Sequence, residues 1–143
     1  MTIKKSALQI FQNEKGLVRK VLDKNDENFY GFGEAYITEI NFNKIKGWKK
    51  HKNKINNFIV VYGSVQFVAW YPNKPKLFQT FILEASNNFN NYSRLSLGEN
   101  IWFAFRGLNS PLSRILNISN ICNEEVISEE LDLDYVNYDW YTN

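Results

Sequence analysis

The sequence predicts an all-β fold, closed as a barrel or a jelly roll. Runs rich in β-branched and aromatic residues recur at close spacing along the chain. Turn-forming clusters separate them, helical periodicity is scarce, and no internal repeat is present.

Taken in order, the strand-like runs are GLVRKVL (Gly16–Leu22), EAYITEI (Glu34–Ile40), NFIVVYGSVQFVAWY (Asn57–Tyr71), KLFQTFIL (Lys76–Leu83), NIWFAFRG (Asn100–Gly107) and LSRILNIS (Leu112–Ser119). The clusters DKNDEN, YG, YPNKP, LGEN and LNSP stand between them. The longest run is expected to be two strands hinged at Gly63. After the hinge the residues alternate: Val65, Phe67 and Ala69 share one face, and Ser64, Gln66 and Trp70 the other. That pattern predicts a half-buried antiparallel strand. Single turns of helix are expected near Asn25–Tyr30 and near Glu124–Glu129. The tail, EELDLDYVNYDWYTN, is acidic and aromatic with no helical period. An extended arm over about 128–143, packed on the barrel, is favoured over disorder, because Leu131, Leu133, Tyr138 and Trp140 are costly to leave in water. Residues 1–143 are read as one domain, with no linker.

Composition excludes several classes of function. A net charge of +2 is too small to imply nucleic-acid binding by the chain as a whole. One histidine, His51, and one cysteine, Cys122, argue against a tight transition-metal site and exclude an intrachain disulfide. A Ser-His-Asp or Cys-His site would have to use His51, and no Gly-x-Ser-x-Gly elbow exists. Neither Gly-x-x-x-x-Gly-Lys nor Gly-x-Gly-x-x-Gly occurs. No metal and no cofactor is expected. With no apolar run near 18 residues and no signal-peptide core, the expected location is cytoplasmic, away from membranes.

The stretch IKGWKKHKNK (Ile45–Lys54) holds the histidine within a crowd of lysines. This cluster has three readings: a solvated loop face, a rim that binds a diphosphate, and a nucleic-acid patch. The last is weakest, because no RNP-type signature accompanies Trp48. Residues two apart on a strand share a face, so Lys49 and His51 are expected to point the same way. In a cavity, neighbouring cations and desolvation would lower the pKa of either.

GFGEAYITEIN, KIKGWKKHKNKINNFIVVYGSVQFVAWYPN, LGENIWFAFRGL and the closing YDW together resemble the dTDP-4-dehydrorhamnose 3,5-epimerase family, and most closely its short sugar-nucleotide epimerase-like relatives. The resemblance runs from about Gly16 to Trp140. It implies a cupin-like jelly-roll barrel that pairs as a homodimer. It also implies a sugar-nucleotide epimerase or isomerase acting on a nucleoside-diphosphate 4-keto-6-deoxysugar in cell-surface polysaccharide synthesis. In that family a histidine following Arg/Lys-Gly-Leu/Trp removes the proton beside the carbonyl, and an acid, often tyrosine, assists. Here Lys46, Gly47 and Trp48 match that pattern, but the base position is Lys49, with His51 two residues later. A second family histidine is replaced by Phe103. The resemblance therefore offers His51 or Lys49 as the catalytic base, Lys46 and Arg106 for the diphosphate, and Asn57 as a polar ligand contact or the cap of a turn. Trp48, Trp102, Phe103 and Phe105 either line a pocket in which a nucleoside ring stacks or, as is commoner for aromatics on barrel strands, belong to the core. The rival reading is a non-catalytic sugar- or partner-binding cupin that has lost the family's histidines. Tyr36, Tyr62 and Tyr71 are tyrosines on expected strands with no assigned role.

Overall fold

Gly63 divides the longest apolar run into two strands that belong to different sheets. Its φ of 79° suits glycine alone, and a Cβ there would lie 2.6 Å from Ser113 Oγ. The computed structural model describes residues 2–86 and 91–141. In chain order the strands are β1 (Ile3–Ala7), β2 (Ile10–Asn13), β3 (Gly16–Arg19), β4 (Glu34–Asn41), β5 (Ile45–His51), β6 (Asn56–Tyr62), β7 (Ser64–Trp70), β8 (Gln79–Glu84), β9 (Ser93–Leu97), β10 (Trp102–Gly107), β11 (Leu112–Ser119) and β12 (Ser128–Glu130). One five-stranded sheet runs β1-β9-β6-β11-β4, a second runs β12-β5-β10-β7-β8, and β2 pairs with β3 in a separate hairpin. Every strand pair is antiparallel. This is a jelly roll, as the strand spacing predicted.

The two sheets face each other over an apolar core. Phe58 and Val60 of β6, Val65, Phe67 and Ala69 of β7, Phe103 and Phe105 of β10 and Ile115 of β11 fill it. The outer face of the first sheet is covered by Leu8, Ile10 and Tyr92 packed on Ile59, with Leu17 and Val21 beside them. The outer face of the second sheet carries Trp48, Trp70 and Trp102, and Trp140 of the tail closes over them with Leu131, Val136 and Tyr138. The tail is thus an arm laid on the barrel, and residues 142–143 lie outside the described part.

This arm corrects one expectation. β7 is not half-buried: Gln66, Val68 and Trp70, on its outward face, are as enclosed as the inward residues. Alternation alone shows two faces; it does not show that a later segment returns to cover the second. The helix expectations shrink to short turns. Asp23–Phe29 closes two backbone turns, and the second region yields a 3-10 turn at Asn123–Glu125 followed by β12.

Candidate functional site

A cavity of about 200 Å³ lies between the two sheets. It is lined by Tyr36 and Thr38 from β4, Lys46, Gly47 and Lys49 from β5, Phe58 from β6, Phe103 and Phe105 from β10, and Ile115 and Asn117 from β11. A β-bulge brings both lysines to it. Phe103 pairs with Lys49 and Ala104 with Gly47, so β5 holds an extra residue at Trp48. The extra residue reverses the alternation. Lys46 precedes it and Lys49 follows it, yet both face the cavity, while Trp48 turns to the outer face. Gly47 is required at the bulge: its φ is 136°, and a Cβ would sit 2.4 Å from that of Ala104.

One wall is polar. Tyr36 Oη accepts hydrogen bonds from Asn117 Nδ2 at 2.9 Å and from Lys54 Nζ at 3.2 Å. Asn117 Nδ2 also donates to Asn56 Oδ1 at 3.1 Å, while Asn117 Oδ1 is buried with no partner. Lys54 is 1% exposed, and its Nζ lies 5.3 Å from the centre of the Tyr36 ring. Lys46 is exposed at the rim and donates to the backbone oxygen of Glu39 at 3.0 Å. Lys49 is half exposed, with Glu130 at 3.8 Å.

His51 is not among the residues that line the cavity; its ring lies 5.6 Å from that of Phe103, which is, and its Nδ1 lies 2.8 Å from Ser128 Oγ. Burial lowers its pKa to about 4, with help from the charges of Lys54 and Lys49. It is therefore neutral at pH 7, with a free nitrogen, but it is a weaker base than ordinary imidazole.

Four of the residues singled out in the sequence lie elsewhere. Trp48 and Trp102 pack under the tail arm on the outer face, because β10 sends Phe103 and Phe105 inward and Trp102 outward. Arg106 shares that outward parity; its guanidinium lies 4.9 Å from the Tyr141 ring centre and reaches Asn43 Oδ1 at 3.4 Å. Asn57 is buried on the outer side of β6, held by Ser96 Oγ and by the backbone oxygen of Asn28. Sequence reasoning assigned no role to Tyr36, Asn117 or Lys54. In LSRILNIS, Asn117 shares the inward parity of Ile115. That inward face reads Ser113, Ile115, Asn117 and Ser119, mostly polar, while Leu112, Leu116 and Ile118 lie on the other, so alternation pointed the wrong way and gave no signal for it. Lys54 gave none either, since it reads as one more lysine of a solvated run.

Among the described residues no three histidine, cysteine or carboxylate side chains come together as metal ligands would. No helix among them is long and apolar enough to cross a membrane.

No protein-family model matches the sequence, and no curated protein matches it. Solved structures do match its shape. A dTDP sugar isomerase from Desulfovibrio desulfuricans G20 superposes with a TM-score of 0.82 at 22% identity, over 99% of this chain and 92% of that one. A dTDP-6-deoxy-D-glucose-3,5-epimerase from Legionella pneumophila, in complex with dTDP-4-keto-L-rhamnose, gives 0.75 at 13% identity, over 92% of this chain and 73% of that one. A sugar 3,4-ketoisomerase from Thermoanaerobacterium thermosaccharolyticum, in complex with TDP, gives 0.70 at 14% identity, over 94% and 90%. The chain has the jelly-roll fold of these sugar epimerases and isomerases.

Proposed function

We propose that the chain is a sugar-nucleotide epimerase or isomerase that takes a nucleoside-diphosphate 4-keto-6-deoxysugar into the cavity between its sheets. The observation that carries this reading is the lining. Lys46 and Lys49 stand at the rim, Tyr36, Thr38 and Asn117 form a polar wall, aromatic rings form the rest, and no carboxylate is among the lining residues. Such a site suits an anionic ligand with a hydroxylated body. The cavity is smaller than the roughly 300–1,000 Å³ of a typical ligand site, so it holds the sugar and leaves the diphosphate among the rim lysines. Fold neighbours named for dTDP-sugar chemistry, one of them holding a dTDP-keto sugar, support the same substrate class.

In this mechanism His51 takes the proton from the carbon beside the carbonyl. With Nδ1 held by Ser128, Nε2 is the nitrogen that takes it. Return of the proton to the other face, or to the neighbouring carbon, inverts or isomerises the sugar. Lys46 meets the diphosphate. The enzyme works as a cytoplasmic homodimer, its product serving cell-surface polysaccharide.

One observation favours a second reading, a binder without chemistry. Lys49 and Phe103, which replace the histidines expected from the resemblance, are register partners and both line the cavity. The two expected histidine positions therefore meet at this site, and both are changed. Thermal shift against dTDP-, UDP- and GDP-linked sugars, followed by deuterium uptake from heavy water into a 4-keto sugar, separates the readings. A shift with uptake supports the enzyme, a shift alone supports the binder, and no shift with any nucleotide sugar rejects both.

A further inference from the structure

Lys54 is a fully buried cation, and among the described residues no carboxylate lies within ion-pair distance of it. Lysine is almost never buried without a counter-charge. One of its three N–H donors is used, on Tyr36 Oη. The phenol oxygen has two acceptor sites and one proton. Both acceptor sites are occupied, by Lys54 Nζ and Asn117 Nδ2, so the proton of Tyr36 has to point elsewhere. Tyr36 lines the cavity, and the cavity is the side left open. Beside it, the buried Asn117 Oδ1 is an acceptor with nothing to accept.

We infer that Tyr36 is the proton donor to the substrate's carbonyl oxygen, that Lys54 resupplies Tyr36 from behind, and that Asn117 Oδ1 accepts from a neighbouring sugar hydroxyl. This rests on the function proposed above and names the acid half of that site. The step balances. The C–H bond beside the carbonyl breaks and its proton goes to His51. The released electron pair forms the C=C bond, and the carbonyl π pair moves to oxygen, which takes the Tyr36 proton. Tyr36 takes a proton from Lys54 in turn. An enol, a histidinium and a neutral lysine result, with no change in total charge.

The arrangement also answers the weakness of His51 as a base. Lys54 is one of the two charges that repel a proton from His51. When Lys54 gives up its proton, that repulsion goes at the moment His51 becomes charged. The positive charge moves from one side of the site to the other, and neither protonation opposes the other.

The test compares wild type, Tyr36→Phe, Lys54→Met and the double variant. The probe is dTDP-4-keto-6-deoxyglucose. Deuterium uptake from heavy water is followed by NMR, dTDP affinity by calorimetry and folding by melting curves. Tyr36→Phe removes one oxygen and keeps the ring, so it guards against loss of fold in Lys54→Met. It is expected to slow uptake by about a hundredfold or more while dTDP affinity changes by less than about threefold. Because Lys54 acts through Tyr36, the double variant is expected to be no slower than Tyr36→Phe alone. Uptake in Tyr36→Phe within about threefold of wild type overturns the inference and leaves the proposed function standing. Multiplying losses in the double variant overturn the relay from Lys54. A wild type that takes up no deuterium overturns the enzymatic reading and this inference with it.

Discussion

The two faces of β5 and β10 use the same strands in opposite ways. On the outer face, Trp70 and Trp102 stack with centroids 5.6 Å apart and 19° between planes, Trp48 lies 5.7 Å from Trp140, and Phe78 and Tyr138 close the edges. The arm is fixed there by reciprocal backbone bonds between Trp48 and Leu131, at 3.1 and 3.0 Å. The indole N–H groups of Trp48 and Trp70 are buried without partners, a cost accepted for the aromatic area removed from water. On the inner face the packing stops short. Lys46, Lys49, Phe103 and Phe105 surround a cavity, and the polar wall opposite keeps hydrogen-bonding capacity unused. Filled volume on one side gives stability; unfilled volume with unspent polar groups on the other gives a place for a ligand.

The sharpest break of this contrast is Trp140→Ala. Removing a buried indole from the arm is expected to cost about 3–5 kcal/mol in denaturant unfolding, the usual range for a large aromatic in a core. Ligand affinity of the folded protein should be unchanged, since Trp140 touches only the outer cluster. A loss below about 1 kcal/mol would show that the arm is not part of the folded core.

The contrast was only half legible in the sequence. The hinge at Gly63 and the strands β4, β6, β7, β10 and β11 follow from β-branched runs and turn residues. β9 escaped notice because SRLSL offers two leucines among polar residues, yet all five positions are buried. Arg94 can sit there because it bonds the backbone oxygen of Val21 at 2.8 Å and Asp26 at 3.3 Å, partners contributed by a distant loop. In β10 alternation separates Trp102 and Arg106 from Phe103 and Phe105, but alternation does not say which face is inward. In β5 the bulge changes the parity midway, and one sequence does not reveal a bulge. Lys46 and Lys49 line the cavity, while Trp48 and Trp102 took the commoner course of strand aromatics and joined the core on the outer face, the side to which Arg106 also turns. Lys54 becomes unusual only once the fold buries it beside Tyr36 of β4.

Titration of His51 tests the inner face by pH. Its ordinary pKa near 6.5 applies to the unfolded chain, and in the folded protein it falls to about 4. Between those values the unfolded chain binds the proton and the folded one does not. Stability is therefore complete above pH 6.5, declines as pH falls towards 4, and changes no further through this group below that. The expected loss is on the order of 2 kcal/mol. The carboxyls of Asp23 and Glu129 are held below their ordinary values by hydrogen bonds, to the backbone of Asn25 and to the side chains of Lys50 and Lys52, and both are kept in the His51→Gln variant used for comparison. Melting temperatures of wild type and His51→Gln from pH 7 to 4.5 measure it. A wild type that declines no more steeply than the variant would place His51 in water rather than against Phe103.

The smallest expected effect sharpens the comparison most directly, because it sets one cation from each face against the other. The resemblance proposed both Lys46 and Arg106 for the diphosphate, but only Lys46 lines the cavity. Arg106 faces outward, against Tyr141 and Asn43. Lys46→Ala is expected to weaken nucleotide-sugar binding about tenfold, or about 1.4 kcal/mol, with folding nearly intact. Arg106→Ala is expected to leave the affinity alone and to lower stability slightly through its lost contact with Tyr141. Calorimetric titration of both variants with the same dTDP sugar decides the matter. Equal losses would mean that the diphosphate extends round the sheet edge to Arg106. A loss in Arg106→Ala alone would move the anion site to the aromatic face, and the cavity would then no longer be where the ligand's charge is met.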